Sequence, residues 1–146
     1  MEKMVCTSAD FAADLEKAIN DGGCVPLVVT GNSMTPFLKD GKDIVWLRAC
    51  RESDYKRGKI LLFRRKDGSL VLHRVRKALE SGELIMNGDA QSWCEKINKS
   101  QVVAVVGEIE HNGQKRASSA RTVWHLLMPV RPVLMRVWRK AQSMKK

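Results

Sequence analysis

The sequence predicts a mainly β fold, with one helix before the strands and an amphipathic helical segment after them. Three observations support this class: short β-type runs recur through the middle of the chain, glycine-containing turns separate them, and apolar residues at helical spacing occur near the N-terminus. The chain has 146 residues, of which 44% are hydrophobic, and this suits one domain with a modest core. We therefore expect an N-terminal helix (1–24), a β-rich domain (25–111) and a basic amphipathic C-terminal segment (112–146).

The first helix is indicated by apolar residues four positions apart, Phe11, Leu15 and Ile19. Ser8 can cap its N-terminus, and the glycine pair at 22–23 is expected to end it. A short amphipathic helix of this kind can serve as a lid or pack on the domain. It is too small to be a helix-turn-helix domain that binds DNA.

Six short runs in the middle of the chain have the composition of β-strands. The predicted strands are 25–30, 43–48, 59–65, 69–76, 83–87 and 102–110. Gly41, Gly58 and Gly68 occupy turns between them, where a positive φ angle is expected. Six strands within so short a span predict a β-rich core.

Basic residues outnumber acidic residues by 26 to 16, which gives a formal net charge of +10. Lys and Arg recur from Lys115 to Lys146 without any acidic residue, so much of this surplus lies in the C-terminal segment. Residues 112–121 are predicted to be a polar, basic connector, and 122–139 combines Trp, Leu, Val and Met with arginines. This pattern is typical of a terminal helix packed on the domain or of an interfacial helix, and we expect 121–140 to bind an anionic membrane surface. No nucleic acid partner is expected, because no recognition motif accompanies the charge.

Localisation is predicted from the N-terminal residues and the hydropathy of the chain. The N-terminus has no basic stretch followed by an apolar run, and no uninterrupted apolar window of about eighteen residues occurs. We therefore expect a cytoplasmic protein that attaches peripherally to a membrane. Cys6, Cys24, Cys50 and Cys94 form no CxxC pair and no metal-ligand spacing with the histidines, so we interpret them as free thiols.

A candidate nucleophile lies in the segment Gly-Asn-Ser-Met-Thr-Pro at 31–36, where a predicted strand ends and a turn begins. Pro36 fixes its own φ angle and favours an extended Thr35, which stiffens the loop after Ser33. A serine hydroxyl is a weak nucleophile near neutral pH and needs a base within hydrogen-bond reach. Ser33 taken alone is more typical of a turn serine, so the prediction depends on finding that base.

His73 is the best candidate for the base. Alternation along the predicted strand 69–76 places His73 between Val71 and Val75 on one face, and these neighbours would shelter the ring from water. Lys77 lies on the same face but about 13 Å further along an extended strand, too far to occupy the same place. A lysine base is therefore not expected.

Four short motifs, taken in their order along the chain, resemble the S24/S26 peptidase superfamily. They are Ser-Met-x-Pro at 33–36, Gly-Lys-Asp-Ile-Val at 41–45, His-Arg-Val at 73–75 and Gly-Asp at 88–89. The resemblance covers about 25–110. Its histidine points to the signal peptidases of the archaeal and endoplasmic-reticulum type, whereas bacterial-type signal peptidases and LexA-type repressors use a lysine at the equivalent strand.

The resemblance implies a serine endopeptidase with a LexA/signal peptidase-like β-rich fold. Ser33 would be the nucleophile, His73 the base, and the Ser33 backbone N–H a part of the oxyanion site. The implied substrate is a peptide or protein bound as an extended strand, with small residues before the scissile bond, and no metal or organic cofactor is required. The family has a catalytic aspartate six residues after its Gly-Asp motif. Here that position is Glu95, and Asp89 is the other acidic candidate for orienting the imidazole.

Two other functions are left open by the sequence. One is a catalytically inactive member of the fold that binds an extended peptide. The other is a LexA-like regulator that binds DNA and cleaves itself, but only about 24 residues precede the first predicted strand, too few for the usual DNA-binding domain.

Overall fold

The computed structural model describes residues 9–118, 136–137 and 140–141. Helix α1 spans Ala9–Asn20, and two short 3₁₀ helices span Glu52–Asp54 and Lys99–Gln101. The strands of this described part are β1 (Val25–Val28), β2 (Ile44–Arg48), β3 (Ile60–Arg64), β4 (Leu70–Ala78), β5 (Leu84–Asn87), β6 (Glu95–Ile97), β7 (Val102–His111) and β8 (Gln114–Ala117). The predicted mainly β class and the N-terminal helix are confirmed.

The described strands form one antiparallel sheet in the order β1-β2-β7-β3-β4-β5-β6, and β8 pairs with β7. Register shifts interrupt the β2–β7, β3–β7 and β4–β5 pairings, and such irregularities bend a strand and increase its twist. Within the described sheet, β1 is paired on one side, with β2. On the other side of β4 from β3, β5 pairs with β4 only from Arg74 onward. Among the described strands, β1 and the first half of β4 therefore each keep one edge open.

The core consists of two clusters of buried apolar side chains. The first contains Leu15 and Ile19 of α1 together with residues of β1, β2, β3 and β7. The second contains Phe63 and Val75 together with residues of β3, β5, β6 and β7. Because Leu15 and Ile19 are buried in the first cluster, α1 packs on the sheet, which is one of the two roles that the sequence allowed.

All six predicted strands are present, and their ends differ from the predicted ends by no more than two residues. The sequence did not predict β6 and β8, which are short and carry charged side chains. The predicted connector is wrong over 114–117, because Asn112 and Gly113 both have positive φ angles and turn β7 back into β8. This Asn-Gly pair is the preferred sequence for a two-residue hairpin turn, and it extends the sheet beyond the predicted domain end at residue 111.

Nearly all of the predicted membrane-binding segment, 121–140, lies outside the described residues, as do Cys6 and Ser8. In the part of the chain that the structure describes, no helix is both long enough and apolar enough to cross a membrane. The other cysteines, Cys24, Cys50 and Cys94, are free thiols as predicted. The membrane partner stays a prediction.

Candidate active site

A cleft of about 290 Å³ lies between the end of β1 and the first half of β4. Ser33 and His73 both line it, although they are far apart in the sequence. Its other walls are 27–31, 70–72, Met34, Leu62, Arg65, Gln91 and Trp93. The fold thus brings the candidate nucleophile and the candidate base to one site.

The loop between β1 and β2 holds Ser33 on an anchored backbone. The next residue, Met34, and Leu38 are buried in the first core cluster, and the Leu38 N–H donates to the Met34 carbonyl at 3.0 Å. The peptide bond between Thr35 and Pro36 is cis. Because the buried side chain of Met34 directly follows Ser33, the backbone of Ser33 is anchored at the wall of the cleft.

The Gly88-Asp89 segment packs against the backbone of Ser33. The N–H of Ala90 donates to the Ser33 carbonyl at 2.9 Å. A Cβ atom at Gly88 would lie 2.7 Å from that carbonyl oxygen and 2.6 Å from Gln91 Oε1. Interiors as closely packed as this do not accommodate such contacts, so the position requires glycine. The Gly-Asp motif therefore positions the loop that carries Ser33.

Replacing Gly88 with alanine is expected to lower the free energy of unfolding by about 1–3 kcal/mol, because the added methyl group would overlap a backbone oxygen that cannot move independently. Urea unfolding of the two proteins measures this difference. Gly107→Ala is the matched control, since the atoms nearest to its Cβ would belong to the side chain of Arg48, the closest at 3.2 Å, and not to the backbone. If the two alanine variants lose the same stability, the close approach at Gly88 has no special effect.

His73 is almost completely buried, with 2% of its side chain exposed. The rings of Phe63 and Trp93 contact it edge-on, with centroids 5.9 and 6.1 Å away. Glu95 Oε1 lies 3.4 Å from His73 Nδ1, longer than a good hydrogen bond, and Nδ1 has no hydrogen-bond partner among the described residues. The carboxylate itself is held by Arg65 through two hydrogen bonds of 2.7 and 3.1 Å. A proton on Nδ1, facing Glu95, would leave the lone pair of the neutral ring on Nε2.

Burial lowers the pKa of His73 to about 4, because the charged ring would lose its hydration. The Glu95 carboxylate opposes this effect, because it favours the charged ring and so raises the pKa. The Arg65 guanidinium lowers the pKa of His73 further. The ring is therefore neutral at pH 7. A neutral ring can accept a proton, which is the state that a general base needs.

Acidification between pH 6.5 and 4 is expected to destabilise the protein partly through His73. In this range the unfolded histidine binds a proton and the folded one does not, so stability falls as pH falls. The full loss is about 3 kcal/mol, complete near pH 4. Urea unfolding across this range should show it in the wild type, and His73→Gln should remove that part of the slope. Parallel curves for the two proteins would contradict a depressed pKa.

Asp89 makes a different contact. Both of its carboxylate oxygens accept hydrogen bonds from Arg74, at 2.9 and 2.8 Å, and both side chains are almost fully buried. Arg74 Nη1 also donates to the Gly58 carbonyl at 2.9 Å. Since Arg74 follows His73 in β4, this ion pair ties the strand of the candidate base to the loop that packs on Ser33.

The two acidic candidates thus occupy different places. Glu95 faces His73, whereas Asp89 is engaged by Arg74. Ser33 and His73 share the cleft, but within the described residues no hydrogen bond joins their side chains. Catalytic hydrogen bonds are often long in unliganded proteins and tighten when substrate binds.

Among the cleft residues that sequence reasoning missed are Arg65, Gln91 and Trp93. Arg65 holds Glu95, and Gln91 has a buried Oε1 without a hydrogen-bond partner in the described structure. A signal for Trp93 was present, because it is the one large aromatic residue in the loop 88–94 and stands two positions before Glu95.

No protein-family profile matches the chain, and no curated protein matches it significantly. Within the described residues, no group of three or more His, Cys, Asp or Glu side chains is placed to hold a metal ion. The function is therefore inferred from the geometry of the site and from the motif resemblance.

Proposed function

We propose that the protein is a serine endopeptidase of the signal-peptidase type, with an S24/S26-like domain, Ser33 as nucleophile and His73 as general base. The observation that carries this proposal is the cleft, which is lined by both side chains and in which a carboxylate faces the histidine. A nucleophile, a base and a third group beside the base are the elements that activate a serine hydroxyl.

The proposed reaction has two steps. In the first, Ser33 Oγ attacks the scissile carbonyl while its proton passes to His73, and the developing oxyanion is stabilised partly by the Ser33 backbone N–H. The C–N bond then breaks, and His73 returns the proton to the leaving amine. In the second step a water molecule, deprotonated by His73, releases the acyl group and restores the Ser33 hydroxyl.

In this mechanism Glu95 stabilises the imidazolium that forms transiently on His73. Its 3.4 Å distance from Nδ1 suits an ion-pair contact, and Arg65 keeps the carboxylate in place. Asp89 acts through Arg74 as a positioning residue, because the pair connects the strand of His73 to the loop behind Ser33.

The open strand edges favour an extended peptide as the substrate. The end of β1 and the first half of β4 both border the cleft, and each offers backbone N–H and C=O groups that the described sheet leaves unpaired on that side. A peptide strand can pair with such edges, which gives affinity through main-chain hydrogen bonds. Val28 and residues 70–72 in the walls of the cleft are partly exposed and are all Leu or Val, so side chains of the peptide would meet apolar surface.

A serine-directed fluorophosphonate probe tests the proposal. The purified protein is expected to be labelled, and Ser33→Ala is expected to abolish the labelling. Ser81→Ala is the matched control, since Ser81 is an exposed serine in the turn between β4 and β5 and should not affect it. Labelling that persists in Ser33→Ala would count against the enzyme.

A peptide-binding protein without catalytic activity is the second candidate. It is favoured by the missing hydrogen bond between Ser33 and His73 and by the low basicity that burial gives the ring. In that case an extended peptide would bind in the same cleft, and no probe labelling would occur under any condition.

A further inference from the structure

Trp93 stands at the cleft without a role in the proposed dyad. It lies in the loop between β5 and β6, and 48% of its surface is exposed; among the large hydrophobic side chains of the described residues, Val137 is the other that is exposed. The loop is anchored, because Asn87 Nδ2 donates to the Trp93 carbonyl at 2.6 Å and to the Gln91 carbonyl at 3.1 Å. The indole therefore presents a partly exposed aromatic surface from a held position.

The neighbours of Trp93 identify the part of a substrate that it would meet. Its ring contacts His73 edge-on, with centroids 6.1 Å apart, and both residues line the same cleft. In acyl transfer by a serine and a histidine, the histidine delivers its proton to the leaving amine, so that amine must lie within hydrogen-bond reach of the ring. The residue attached to the amine is the one that follows the scissile bond, and its side chain would lie next to Trp93.

We infer that Trp93 forms the subsite for the side chain that follows the scissile bond and that it selects large apolar residues there. This inference rests on the proposed function. An apolar side chain packed on the indole would remove apolar surface of both from water, and aromatic side chains would add the preference of ring pairs for edge or offset packing.

The charges around the indole agree with an apolar ligand. The Arg65 guanidinium lies 6.0 Å from the centre of the Trp93 ring, but two hydrogen bonds pair it with Glu95. The Arg65–Glu95 pair carries no net charge and is partly exposed, so an acidic or a basic side chain at the indole would gain little from it. The apolar area that a side chain buries against the indole would therefore decide which residue this part of the cleft prefers.

Partition of the acyl-enzyme between competing amines tests this inference without knowledge of the natural substrate. The full-length protein is acylated at Ser33 by a p-nitrophenyl ester in the presence of equal concentrations of phenylalanine amide and glycine amide. Each amine attacks the acyl carbonyl and gives up one N–H proton to His73, so the C–N bond forms, and His73 passes that proton to Ser33 Oγ as the ester C–O bond breaks. The ratio of the two amide products reports the preference of the leaving-group subsite and does not depend on the acylation rate.

Wild-type protein is expected to favour phenylalanine amide by about tenfold, the scale of discrimination by an apolar pocket. Trp93→Ala should bring the ratio close to that of the free amines in solution, and Trp93→Phe should restore part of the preference. Trp46→Phe, a change of the same residue type on β2, is the matched control and should keep the wild-type ratio. Equal ratios in wild type and Trp93→Ala, or the absence of amide products from an acylated protein, would overturn the inference. A protein that is never acylated would instead overturn the proposed function.

Discussion

Replacing His73 with glutamine is expected to slow fluorophosphonate labelling of Ser33 by about a hundredfold to ten-thousandfold, the usual contribution of a positioned general base. Glutamine keeps a similar size and polarity but cannot take the proton from the serine hydroxyl. The measurement is the rate of labelling at pH 7 and saturating probe. In the wild type the rate should hold as pH falls from 7 towards 5 and then decline through about pH 4, because burial lowers the pKa of His73 to about 4 and only the neutral ring accepts a proton.

His111→Gln is the matched control for this prediction. His111 is a histidine of β7 whose Nδ1 pairs with Asp43, and it does not line the cleft. It should keep most of the labelling rate. If the two glutamine variants are labelled at the same rate, His73 is not the general base, even if the probe labels Ser33.

The second large effect is expected at the buried ion pair. Replacing Arg74 with methionine should lower the free energy of unfolding by about 3–5 kcal/mol, because the Asp89 carboxylate would be left buried without its cation. Such a loss is a large part of the stability of an ordinary domain. Urea unfolding at pH 7 measures it, and the double variant Arg74→Met, Asp89→Leu should recover part of the loss because neither charge of this pair then remains buried.

An exposed ion pair of the same protein provides the comparison. Lys99 and Glu52 approach to 2.6 Å, but 81% of the Glu52 side chain is exposed. Glu52→Ala should therefore change the free energy of unfolding by less than about 1 kcal/mol. A loss in Arg74→Met no greater than that in Glu52→Ala would show that burial of the Arg74–Asp89 pair does not matter for stability.

Local pattern was enough to predict most of the fold. Alternation and glycine turns located six strands, because half-buried strands need apolar residues at every second position. They could not locate β6 or β8. The three residues of β6 are held by pairing with β5, and the side chains of β8 are all exposed, so neither strand leaves an apolar pattern in the sequence. The Asn-Gly pair before β8 indicates a hairpin turn, but the prediction did not take it into account.

The arrangement of the candidate site depends more on contacts between residues that are far apart in the sequence. The sequence placed His73 on a sheltered face but left Asp89 and Glu95 as equal candidates, since nothing local tells which carboxylate reaches the ring. The antiparallel pairing of β6 with β5 brings Glu95 beside His73, and the burial of Arg74 engages Asp89. Arg74 itself could not be predicted as a buried residue, because an arginine in a strand is usually exposed unless a partner from elsewhere in the chain neutralises it.

The most direct test of the Ser33–His73 dyad is the location of an acyl group on the protein. The protein is treated with a p-nitrophenyl ester, quenched in acid and cleaved with trypsin, and the fragment 18–39 is sequenced by mass spectrometry. Ser33 is its one serine, and Cys24, an exposed thiol that such esters can also modify, is replaced with alanine beforehand. We expect the acyl group on Ser33 in the protein with His73 and its near absence after His73→Gln. An unmodified Ser33, or equal acylation in the two proteins, would contradict the dyad.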